Sequence, residues 1–93
     1  MTNSETDLSQ QVTIVNELGM HARSAAKIAA IANRSTASVW IQKDNLRADA
    51  SSILDILTLA CKKGTKITIR IENKSDSNIL EAITELVESG FGE

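Results

Sequence analysis

Two stretches of the chain alternate apolar and polar residues, and this alternation constrains the fold more than any other feature. In Lys66 to Glu72, Ile67, Ile69 and Ile71 share one face, while Thr68, Arg70 and Glu72 share the other. In Thr36 to Lys43, Ala37, Val39 and Ile41 point one way and Ser38, Trp40 and Gln42 the other. A period of two is that of a half-buried strand. Strands with one apolar and one polar face suit an antiparallel sheet covered on one side only.

The remaining elements follow from periodicity and punctuation. Val12-Thr13-Ile14-Val15 reads as a short strand and Asn16-Glu17-Leu18-Gly19 as a loop. From Ala22, apolar residues recur at 25, 26, 28, 29, 31 and 32, close to the spacing of an amphipathic helix. Asp44-Asn45 is a hairpin turn leading into a weaker strand, Leu46 to Ala50. Ser51 or Ser52 caps a short helix expected to end near Lys62-Lys63, before Gly64, with Cys61 packed on it. Ser75 or Ser77 starts a last helix with an apolar stripe of Ile79, Ile83, Leu86 and Val87, ending at Gly90. The order βαββαβα is that of an α/β (α+β) open-faced sandwich. The first and third helices cover one face, and Trp40 lies on the uncovered one. The small residues of the first helix let it sit close to the sheet, so Ala29→Leu should overpack the core at ~1–3 kcal/mol.

Ninety-three residues make one small domain. Residues 1–11 are polar and aperiodic and are expected to form a mobile N-terminal tail; residues 12–93 form the domain. A net charge of −2 without a long basic run argues against nucleic acid or an anionic membrane as the main partner. No apolar run approaches membrane-spanning length. The single cysteine, Cys61, cannot form an internal disulfide, so the expected location is a reducing, cytoplasmic compartment. One His and one Cys give no metal cluster, and no cofactor is implied.

Chemistry concentrates in Met20-His21-Ala22-Arg23, entered through Leu18-Gly19. His21 is the only histidine, and it falls at or just before the first helical residue. The first N–H groups of a helix lack intrahelical partners and favour anions. The donors here are the backbone N–H groups of Ala22, Arg23 and Ser24, joined by the Arg23 guanidinium, whose planar fork matches phosphate oxygens. Imidazole is largely neutral near pH 7, so one ring nitrogen has a free lone pair. It can attack phosphorus without a base, which a serine hydroxyl would need.

Leu18-Gly19-Met20-His21-Ala22-Arg23 resembles the phosphorylation-site motif of HPr, the histidine phosphocarrier of the phosphoenolpyruvate-dependent phosphotransferase system. The resemblance runs from about Val12 to Phe91 through the segment Ala50 to Leu59 and the turn and strand Gly64 to Ile69. The wording Gly-Met-His-Ala-Arg and the closing Glu88-Ser89-Gly90-Phe91 lean toward the nitrogen-related branch, NPr. The resemblance implies the HPr-like fold and a carrier, often serving sugar transport, rather than an enzyme. It implies that His21 accepts a phosphoryl group on Nδ1 from Enzyme I and donates it to an enzyme IIA domain, with Arg23 steadying the phosphate. It also implies a monomer, and a docking patch of Met20, Ile53, Leu54 and Leu57 beside Arg23. An alternative is a regulatory module whose His21 phosphorylation state controls a target protein. A third is a metabolite-sensing domain in which His21 is incidental.

Two positions depart from the family pattern. Ser24 stands where proline is common, which removes a fixed backbone angle and adds an N–H and a hydroxyl. Ser52 matches the serine that a kinase modifies in some members, and so is a candidate regulatory phosphosite. Asp55, where many kinase-regulated members have glycine, would repel an added phosphate. The preferred reading of Ser52 is a helix N-cap.

Overall fold

The computed structural model describes residues 8–93. Strand β1 (Ser9–Thr13) leads to helix α1 (Ala22–Ala32), strands β2 (Val39–Lys43) and β3 (Leu46–Asp49), helix α2 (Ile53–Leu57), strand β4 (Lys66–Ile71) and helix α3 (Ser77–Glu88). Short 3-10 turns, Lys74–Asp76 and Gly90–Gly92, flank α3. The four strands form one antiparallel sheet in the order β1-β4-β2-β3. This is the predicted βαββαβα arrangement, an open-faced sandwich.

The alternation places the core as expected. Ile67, Ile69 and Ile71 of β4 and Val39 and Ile41 of β2 are buried, in one cluster with Ile28 and Ala32 of α1 and Ile79, Ile83 and Val87 of α3. Trp40 lies on the opposite, uncovered face, opposite Arg70 and Asp49 in the register. Its Nε1 donates to Glu72 Oε2 at 2.9 Å, and the Arg47 guanidinium stacks 3.9 Å from the ring centroid.

Three boundaries differ from the sequence expectation. Residues 1–7 of the expected tail lie outside the described residues, but Ser9, Gln10 and Gln11 belong to β1. β1 is an edge strand, so Gln10 and Gln11 stay exposed while their backbone pairs with β4. Polarity alone therefore hid the strand. β2 begins at Val39 rather than Thr36 because a buried carboxylate claims the preceding backbone. Asp76 accepts from Thr36 N at 2.8 Å, Ala37 N at 3.1 Å and Thr36 Oγ1 at 3.0 Å.

The second helix ends at Leu57, far short of Lys62-Lys63. Ala60 takes a positive φ of 51°, which no helix accommodates, and Lys43 Nζ donates to Leu59 O at 2.8 Å and to Ala60 O at 3.3 Å. Cys61 is buried as expected, but beyond the helix. The Lys-Lys-Gly sequence marks the turn into β4 instead.

Candidate functional site

His21 is the N-cap of α1, in extended backbone conformation. Its carbonyl accepts the first helical bond, from Ala25 N at 2.8 Å. The N–H groups of Ala22, Arg23 and Ser24 follow at the first three helical positions, where no intrahelical acceptor exists. The loop before His21 is clamped. Gly19 N donates to Asn16 O at 3.1 Å, and Met20 N donates to Cys61 O at 2.7 Å. Gly19 has a φ of 66°, and a Cβ there would meet Cys61 O at 2.6 Å and the Cα of Lys62 at 2.8 Å. Only glycine fits both the turn and the close approach.

Ser24 is fully buried, and its Oγ accepts from His21 N at 2.9 Å. The hydroxyl thus closes the helix start by reaching back to the N-cap, and the His21 side chain faces the Ser24 backbone N–H in return, the two arms of a capping box. The hydroxyl is thereby committed to structure.

Met20, expected in the docking patch as an exposed residue, is instead mostly buried. Its side chain is about nine-tenths buried within the core cluster, near Ser24 Oγ.

Glu93 joins the site, and sequence reading missed it. Glu93 Oε2 lies 2.7 Å from His21 Nε2 and 3.7 Å from Arg23 Nη2. Its Oε1 accepts from Asn16 Nδ2 at 3.0 Å. Burial pushes the Glu93 carboxyl up, but hydrogen bonds from Asn16 and His21 and the charges of His21 and Arg23 outweigh it, so the group sits below the ordinary glutamate value. The segment is pinned by the buried Phe91, whose carbonyl accepts from Lys27 Nζ at 2.6 Å.

An ionised carboxylate has no proton to give, so the hydrogen in the His21–Glu93 contact sits on Nε2. In the neutral ring Nδ1 then carries the lone pair. With 27% of the His21 side chain and 67% of the Arg23 side chain exposed, a reacting group can approach both. The site thus brings together an imidazole, an exposed guanidinium and the first backbone N–H groups of α1.

Residues 8–89 match the family model of the PTS HPr component phosphorylation site. The chain belongs to the HPr family of phosphocarriers. It is 34% identical over 86 residues to the phosphocarrier protein HPr of Neisseria meningitidis, covering 92% of this chain and 97% of that protein. It is 39% identical over 88 residues to the phosphocarrier protein NPr of Shewanella violacea, covering 95% and 97%. HPr-C-His from Thermoanaerobacter tengcongensis superposes with a TM-score of 0.85 at 32% identity, covering 91% of this chain and 96% of that one.

Other positions singled out by the HPr resemblance fall on α2, which packs against α1. Ile53 and Leu54 are exposed, Leu54 at 78%, whereas Leu57 is half-buried against the core. Ser52 is the N-cap of α2, its Oγ accepting from Asp55 N at 3.2 Å. Asp55 is turned toward β3, where its Oδ2 accepts from Asp49 N at 2.7 Å. Among the described residues no group of three or more His, Cys, Asp or Glu could hold a metal ion. No helix among them is long and apolar enough to cross a membrane.

Proposed function

We propose that His21 is a phosphoryl acceptor and donor, charged by Enzyme I and discharged to an enzyme IIA domain of the phosphotransferase system. The observation that carries this reading is the His21–Glu93 contact, which keeps a proton on Nε2 and leaves Nδ1 as nucleophile. Nδ1 attacks phosphorus, an N–P bond forms, and the bond from phosphorus to the donor breaks. The ring becomes cationic, and the Glu93 carboxylate on Nε2 offsets that charge. Arg23 and the amides of Ala22, Arg23 and Ser24 act on the phosphoryl oxygens. The exposed Ile53 and Leu54 form the apolar part of the partner surface. A patch of this size suits a carrier that must leave each partner quickly. Ser52 acts as a cap rather than a regulatory site, because the Asp55 carboxylate lies one turn away.

The test is incubation with phosphoenolpyruvate and Enzyme I, followed by intact mass. An acid-labile gain of one phosphoryl group is expected, and His21→Ala should abolish it. Wild-type protein that stays unlabelled while an HPr control is labelled contradicts the reading.

A further inference from the structure

Asn16 lies in the loop between β1 and α1 and is only 7% exposed. Its Nδ2 donates twice, to Gly19 O at 2.8 Å and to Glu93 Oε1 at 3.0 Å. The first bond braces the turn that delivers His21. The second holds one oxygen of the carboxylate whose other oxygen meets His21 Nε2. Two acceptors on Nδ2 fix the orientation of the amide. Oδ1 is left buried, and no described residue donates to it. A buried amide with an unmet acceptor is a poor choice for stability alone, since an apolar side chain of similar size would avoid the loss. Glu93 also has a competing partner. Arg23, largely exposed, stands 3.7 Å from the same oxygen that contacts His21 and would draw the carboxylate toward solvent.

The geometry points to Asn16 as a positioning residue that fixes the Glu93 carboxylate against His21 Nε2, and so keeps the lone pair on Nδ1. The inference rests on the phosphocarrier reading of His21. Asn16 touches no reacting atom; it acts through Glu93, much as a hydrogen-bonded outer partner fixes the tautomer of a functional histidine. The sequence signal was slight, one polar residue at the end of a strand.

The experiment compares Asn16→Ala, Glu93→Gln and the double variant. The Nε2–H to Nδ1–H tautomer ratio is read from long-range proton–nitrogen spectra of the unphosphorylated protein. The kcat and KM for phosphoryl transfer from Enzyme I are measured separately. Asn16→Ala should shift the tautomer ratio toward that of Glu93→Gln and lower kcat roughly tenfold or more with KM unchanged. The double variant should be no worse than the poorer single one. Asn16→Leu, which fills the space without a donor, should behave like Asn16→Ala, and Glu93→Gln leaves the Gly19 brace intact. A wild-type tautomer ratio and kcat in Asn16→Ala, or single effects that multiply in the double variant, overturn the proposal. Because the ratio is read on free protein, this inference and the phosphocarrier role fail on different data.

Discussion

Glu93 and His21 stand 72 positions apart in sequence and 2.7 Å apart in space. The Glu93 carboxylate therefore faces Nε2 of the histidine at the start of α1.

The Glu93 carboxyl should titrate below the ordinary glutamate value. Burial opposes this, but the bonds from Asn16 and His21 and the nearby cations prevail. A depressed folded pKa means that the contact is intact at neutral pH. It is lost as pH falls through the folded value. Carbon-detected NMR titration of the side-chain carboxyl checks this, and Asn16→Ala should move the midpoint upward.

Gly19→Ala should destabilise the fold and displace His21. The left-handed backbone alone costs an alanine ~1–2 kcal/mol, and the Cβ would collide with backbone atoms of Cys61 and Lys62 rather than a flexible side-chain tip. Denaturant midpoints and the backbone amide shifts of residues 19–22 report the two effects.

Ser24→Ala removes the acceptor for the His21 N–H from a buried position. The expected loss is ~1 kcal/mol, with the fold retained. Ser24→Pro should cost more here than its frequency in the HPr family suggests, because this chain already uses the hydroxyl to close the helix. Urea denaturation of both variants gives the comparison.

Asp76 should make stability acid-sensitive. The backbone bond from Thr36 is the largest influence on its carboxyl; burial opposes it, and the bonds from Ala37 N and Thr36 Oγ1 add to it, leaving the pKa lowered. Its contribution is therefore complete above the ordinary aspartate value and fades as pH falls through the depressed folded value. Asp76→Ala should lower the melting temperature at pH 7, and the gap to wild type should narrow at pH 3.

The repeating features of the fold were legible in sequence and the singular ones were not. Ile67, Ile69 and Ile71 announced both a strand and its buried face, and the alanine-rich run announced α1. Gly19 and His21 stood out because glycine and a lone histidine have few substitutes at a helix start. Asn16, Asp76 and Glu93 are single polar residues whose partners lie far along the chain, and no local pattern marks such contacts. The end of α2 was misplaced for a related reason. Lys62-Lys63-Gly64 carries a helix stop signal, but Ala60 and the distant Lys43 had already ended the helix. The burial of Met20 was equally hidden, since its backbone pairs with Cys61, 41 positions away.

The atom that carries phosphorus is the most direct test of the account. Protein labelled with nitrogen-15 and charged by Enzyme I and phosphoenolpyruvate should show the phosphoryl group on Nδ1 of His21, with Nε2 still protonated. A phosphoryl group found on Nε2, the nitrogen occupied by Glu93, or on any residue other than His21, would contradict it.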